Sequence, residues 1–222
     1  FLNDIIMNSV VEKFNKINSN IKNIKPRKQV NIIAVSKTFP LDHIKPLIDF
    51  GHCHFGENKV QEALTKWKLV KKEKPNLKLH MIGKLQSNKA KNAFELFDYI
   101  HSLDNQKLAD IFSDCESKYE RKIKYFLQVN IGNEAQKSGI PISNLEEFYN
   151  YCTVEKNLNV IGLMIIPPIN KDTKKYFQSI NELNKSLGLQ DLSMGMSSDY
   201  EDAVRFDSTY LRIGSSIFGA RN

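Results

Sequence analysis

Eight short runs of strand-forming residues punctuate this chain, and a helical apolar period separates most of them from the next. The runs are NIIAVS (31–36), CHFGEN (53–58), LKLHMIG (77–83), YIHSLD (99–104), IKYFLQVN (123–130), NVIGLMII (159–166), LQDLSMG (189–195) and TYLRIGS (209–215). Between them, apolar residues recur at helix spacing, as in Val60, Ala63, Leu64 and Trp67, or Leu108, Ile111, Phe112, Cys115 and Tyr119. Further faces are Leu145, Phe148, Tyr149 and Cys152, then Tyr176, Phe177, Ile180, Leu183 and Leu187. Taking the strand ends at Ser36, Glu57, Gly83, Asp104, Asn130, Ile166, Gly195 and Gly214, the intervals are nearly regular. A parallel α/β fold has this rhythm. Eight units without a G-x-G-x-x-G after the first strand favour closure into a (β/α)8 barrel of the TIM type over an open doubly wound sheet. Ile6, Val10, Phe14, Ile17 and Ile21 predict one extra helix ahead of the first strand.

The 222 residues, 41% hydrophobic, suffice for one substantial core, so residues 1–222 are expected to form a single domain. Lys and Arg total 32 against 25 acids, a formal charge of +7, but the basic residues are dispersed rather than gathered into an arm. A solvated cationic surface is the reading, not a nucleic-acid footprint. Cys53, Cys115 and Cys152 are odd in number and scattered, which argues against a disulfide framework and for a reducing compartment. No apolar run is long enough to span a membrane, and acids and asparagines interrupt the first twenty residues where a signal peptide needs an apolar stretch. The expected location is the cytoplasm, with no membrane partner.

Chemistry gathers where strands end. Ile32, Ile33, Ala34 and Val35 read as a strand buried on both faces, Pro40 prevents its continuation, and Lys37 stands where it opens into a loop. An ammonium there must reach water, meet an anion or lose its proton. Barrels of this kind work at the carboxyl ends of their strands and commonly hold phosphate in the loops after strands seven and eight. Here those loops are SMGMSSD and RIGSSIFG: Gly195 and Gly214 permit close backbone approach to an anion, and Ser197 and Ser215 add hydroxyls. A ligand carrying phosphate and a carbonyl that lysine can capture as an imine suits this arrangement, and pyridoxal 5'-phosphate is the candidate. Arg212, two residues before Gly214, points by strand alternation to the same side as that glycine, inward if the glycine faces the ligand. A guanidinium beside a pyridine nitrogen keeps that nitrogen unprotonated and makes the cofactor a poor electron sink.

Several phrases then carry a family resemblance over nearly the whole chain: AVSKT (34–38), FGENKVQE (55–62), IGKLQSNK (82–89), LQVNIGNEAQKSGI (127–140), GLMIIPP (162–168), LSMGMSSDYEDAV and RIGSSIFGAR. In these the chain resembles the pyridoxal phosphate homeostasis proteins, which are related in fold to the alanine racemase N-terminal barrel. By that resemblance Lys37 matches the imine-forming lysine, Ser197, Gly214 and Ser215 match phosphate-binding positions, and Arg212 matches the arginine at the pyridine nitrogen. Asn58 and Met196 fall with them among cofactor-binding positions. The chain departs from the family pattern at Phe39, where lysine is frequent, and at Lys59, where an aromatic is common.

The resemblance implies a non-catalytic handler of pyridoxal phosphate that takes part in cofactor and amino/keto acid homeostasis, with apo enzymes as possible recipients and a monomer as the expected state. The chain ends soon after its eighth unit, where alanine racemases add a domain supplying a second base, and two-sided proton transfer is therefore not expected. The alternative is a single-domain racemase or lyase using the same cofactor; a third reading is a phosphosugar isomerase using the anion loops alone. Other residues have plainer readings. His52 and His54 have a spacing that metal sites use, but lack a carboxylate or cysteine partner, and no metal is expected. Glu57 is read as a strand-end acid bonded at the barrel mouth rather than a general base. Pro167 and Pro168 terminate strand six. Lys84, Lys89 and Lys91 form a basic helix start on the rim, and the Lys137–Gly139 loop reads equally as a flap or a second anion contact.

Overall fold

The computed structural model describes residues 2–168 and 172–220, with the backbone alone for residues 2–8. Eight parallel strands close into a barrel in sequence order: β1 (Asn31–Val35), β2 (His54–Glu57), β3 (Lys78–Met81), β4 (Tyr99–Leu103), β5 (Lys124–Gln128), β6 (Val160–Met164), β7 (Asp191–Ser193) and β8 (Tyr210–Ile213). β8 returns to β1 with Ile33 opposite Arg212 and Ala34 opposite Ile213. This is the (β/α)8 barrel expected from the strand rhythm, with every strand within two residues of its expected end.

Helices α1 (Leu2–Ile24), α2 (Leu41–Asp49), α3 (Val60–Glu73), α4 (Ala90–Leu96), α5 (Gln106–Tyr119), α6 (Leu145–Asn150), α7 (Thr173–Ser186), α8 (Tyr200–Arg205) and α9 (Ser215–Phe218) surround the strands. α1 is the extra N-terminal helix; Val10, Phe14, Ile17 and Ile21 bury its apolar stripe, and it packs on α2, α8 and α9, over the β8–β1 seam. The side chain of Ile6, expected in that stripe, lies outside the described residues. Asn105 caps α5 by accepting from Leu108 N–H at 3.0 Å, and Asp172 caps α7 by accepting from Lys174 N–H. α6 runs directly into a π-helical turn at Tyr151–Glu155 that buries Cys152.

The α7 face differs from expectation. Phe177 and Ile180 are buried, but the adjoining buried positions are Asn181 and Asn184, with Tyr176, Leu183 and Leu187 only partly covered. Asn184 explains the shift: its Oδ1 accepts from Leu163 N–H and its Nδ2 donates to Leu189 C=O, fastening α7 to β6 and to the approach to β7. Asn181 donates to Asp207, which also takes a two-pronged pair of bonds from Arg27.

Strand alternation separates two cores. Outward residues such as Phe55, Leu79, Ile100 and Leu211 meet the helices in a large apolar layer. Inward residues form a smaller centre of Ile33, Tyr99, Phe126, Met164 and Tyr210, among which stand His80, His101, Ser193 and Arg212. The barrel interior is therefore aromatic and polar rather than filled with branched aliphatic residues.

Candidate functional site

A cavity of about 670 Å³ opens at the carboxyl ends of the strands. All seven residues that the sequence offers as candidates for cofactor binding line it: Lys37, Asn58, Met196, Ser197, Arg212, Gly214 and Ser215. Sequence separation of up to 178 residues between Lys37 and Ser215 is bridged by closure, since β8 pairs with β1.

Lys37 lies in the turn just past β1. Its predecessor, Ser36, is wholly buried and donates to Glu57 Oε1 at 2.7 Å. The same oxygen accepts from Lys66 Nζ at 3.0 Å and Trp67 Nε1 at 2.9 Å, while Lys66 also donates to the Ser36 carbonyl at 2.9 Å. Glu57 thus points outward, between β2 and α3, and is not a cavity residue. It is a bonded strand-end acid, but not at the barrel mouth as expected: alternation turns it to the helix side, where it fixes the backbone that carries Lys37. Thr38, held at φ 70° in the left-handed region, turns the chain and donates its N–H to Glu62.

Asn58 follows β2, and its loop passes against Gly83: a Cβ there would lie 2.4 Å from Asn58 O and 2.7 Å from its Cα. Only glycine allows that approach. The Asn58 Oδ1 is buried without a hydrogen-bond partner among the described residues.

The loops after β7 and β8 meet. Ser197 Oγ accepts from Ser216 N–H at 3.3 Å, and Met196 N–H donates to Asp199 Oδ1 at 2.7 Å, which folds the first loop into a tight turn. Gly195, at φ 93°, sits where a Cβ would lie 2.6 Å from Ala203 Cβ. Arg212 is 5% exposed; it donates from one guanidinium nitrogen to Ser193 Oγ at 2.6 Å and from the other to Ile165 C=O at 2.8 Å. Burial lowers its pKa to about 10, so it stays cationic at neutral pH.

Several lining residues were read differently or missed. Lys84, read as part of a rim helix, and Lys137, left open between flap and anion contact, both face the cavity, joined by Gln128, Asn130 and Ile166. The loop carrying Lys137 is fastened: Asn130 bonds Glu134 through both its amide oxygen and nitrogen, Gly139 N–H donates to Asp104, and Lys137 pairs with Glu134 at 2.7 Å. The His52–His54 pair does not converge on one point. His52 packs on Phe14 and gives its Nε2 to the His54 carbonyl, whereas His54 bonds His80. Among the described residues no three His, Cys, Asp or Glu side chains are grouped to hold a metal ion.

The ionisable groups lining the cavity are thus three lysines and one arginine, with no carboxylate, imidazole, phenol or thiol among the described lining residues. Such a wall attracts anions, and a low-dielectric recess strengthens that attraction.

Residues 13–222 match the alanine racemase, N-terminal domain, family. The chain is 38% identical to the pyridoxal phosphate homeostasis protein of Buchnera aphidicola subsp. Schizaphis graminum, over 92% of this chain and 97% of that one. It is 34% identical to the protein of the same name from Escherichia coli (strain K12), over 87% of each. Among solved structures, PipY of Synechococcus elongatus PCC7942 with PLP bound superposes with a TM-score of 0.85 at 33% identity, covering 95% of this chain and all of PipY. An alanine racemase from Bacillus anthracis shares the fold, at a TM-score of 0.68 and 16% identity.

Proposed function

We propose a function from one premise: this chain belongs to the pyridoxal phosphate homeostasis protein family, within the alanine racemase N-terminal fold. It binds pyridoxal 5'-phosphate covalently through Lys37 and serves intracellular cofactor balance. When bound, that group supplies an aldehyde carbon open to attack by an amine, a phosphate dianion and a pyridine nitrogen. The residues fit each part. Lys37 provides the amine, on backbone held by Glu57. Ser197 and Ser215, on two loops bonded to each other, provide phosphate donors, with Gly214 and Met196 shaping the recess. Arg212 provides a buried cation for the ring nitrogen, and the unpaired Asn58 Oδ1 offers an acceptor at the cavity edge. PipY, 33% identical, has a structure with PLP bound, which supports the same ligand here.

The all-cationic lining carries the further reading that this protein holds the cofactor without turning over substrates. Racemisation needs a proton acceptor on each face of Cα, and Glu57, the nearby acid, is sealed behind the barrel wall on three donors. Three free cysteines agree with a cytosolic location, and no described helix is long and apolar enough to cross a membrane. We assign residues 1–222 to one domain and a monomer that hands cofactor to apo enzymes. Titration with pyridoxal phosphate should produce a protein-bound visible chromophore at one equivalent. Deuterium uptake at Cα of amino acids from heavy water should then stay at the level of free cofactor. No chromophore would dismiss the binding; steady exchange would favour the racemase or lyase reading.

A further inference from the structure

A line of hydrogen bonds crosses the barrel interior to the cofactor face. His54 Nδ1 lies 2.9 Å from His80 Nε2, His80 Nδ1 lies 2.9 Å from His101 Nε2, and His101 Nδ1 lies 2.8 Å from Ser193 Oγ. Ser193 Oγ in turn is 2.6 Å from the Arg212 guanidinium. The line links β2, β3, β4, β7 and β8.

Its direction follows from donor counting. A guanidinium only donates, so Ser193 Oγ accepts from Arg212. The hydroxyl has one proton to give, and its other partner among the described residues is His101 Nδ1. If the proton goes there, His101 Nδ1 is an acceptor, and a neutral imidazole then carries its hydrogen on Nε2. That hydrogen points at His80 Nδ1, which fixes His80 in the same tautomer and, through His80 Nε2, fixes His54 as well. The reverse polarity leaves the buried Ser193 proton without an acceptor, which is costly. Ring planes are held by stacking: His80 on Tyr99 at 4.2 Å and 17°, His101 on Phe126 at 4.3 Å and 22°.

We propose that His54, His80 and His101 form with Ser193 a one-way relay, every imidazole protonated at Nε2, that orients Arg212 and makes these four positioning residues of the cofactor site. Arg212 has no carboxylate within ion-pair distance among the described residues, so the acceptor end of this dipole chain faces its charge together with the Ile165 carbonyl. Burial, which drives His80 and His101 well below the usual imidazole pKa, agrees with neutral rings. The inference rests on the cofactor reading for its consequence and not for its existence.

The test uses the full chain labelled with ¹⁵N-histidine and long-range ¹H–¹⁵N correlation spectra without cofactor. His54, His80 and His101 are each expected to show a protonated Nε2 and a bare Nδ1. Ser193→Ala should release His101 and His80 to mixed tautomers and weaken pyridoxal phosphate binding about tenfold, and Ser193→Thr should restore both. A protonated Nδ1 on any of the three in the wild-type protein overturns the relay without need of a variant. Unchanged histidine signals or unchanged affinity in Ser193→Ala overturns it also. Should wild-type protein take up no cofactor while the tautomers are as expected, the relay stands and the cofactor reading falls.

Discussion

The Ser36 hydroxyl and Glu57 Oε1 are 2.7 Å apart, so the residue before Lys37 is tied to the end of the neighbouring strand. Glu57 in turn pairs with Lys66, which is 9% exposed. Removing Glu57 takes the buried counter-ion from Lys66 and leaves it the Ser36 carbonyl and the partly exposed Glu62 at 3.4 Å. Glu57→Ala should cost about 3–5 kcal/mol of stability. Chemical denaturation measures it, and a loss under about 1 kcal/mol would mean that the network does not brace β1. Glu57→Gln, which keeps an acceptor for Ser36 and Trp67, should cost less.

Gly83 gives a second expectation. Because a Cβ at this position meets backbone of Asn58 rather than a yielding side chain, Gly83→Ala must displace the Asn58 loop. Cofactor affinity should fall at least tenfold with a modest stability change of about 1–3 kcal/mol. Wild-type affinity in Gly83→Ala would show that the Asn58 loop does not shape the pocket.

Acid should weaken the fold. Burial lowers the pKa of His52 to about 4 and moves His54, His80 and His101 below 6.5. In the unfolded chain these rings bind protons near pH 6.5, so between about pH 4 and 6.5 the unfolded state holds more protons and stability rises with pH. It is lost as pH falls through that window, by up to about 1.4 kcal/mol per pH unit for each ring. The urea midpoint should drop steeply from pH 6.5 to 5 and vary little from pH 7 to 8. A flat profile through pH 5 would contradict neutral buried histidines.

The barrel was legible because its two periods, strand and helix, alternate eight times, and Lys37 with the two serine loops was legible because strand ends are where a barrel does its work. The histidine line was not. His80 and His101 sit in LKLHMIG and YIHSLD, where other polar residues stand in the same runs and neither histidine is marked out, and His101 meets Ser193 across 92 residues of sequence. Which inward residues share a layer follows from closure and register, which no local pattern encodes. α7 is similar: Asn184 reads as a solvated position until the Leu163 amide and Leu189 carbonyl that it serves are in place. Glu57 was expected at the barrel mouth from its place at a strand end; with Gly56 on the inner face, alternation within β2 sends it outward to Trp67 instead.

Cofactor capture by this protein depends on the Lys37 amine, and covalent trapping reads that bond out. Protein saturated with pyridoxal phosphate is reduced with borohydride, digested and weighed by peptide. The expected result is one reduced cofactor mass on the peptide containing Lys37, and none on that peptide in a Lys37→Ala variant whose stability stays within about 0.5 kcal/mol of wild type. Label on Lys84 or Lys137 with Lys37 unmodified would contradict it.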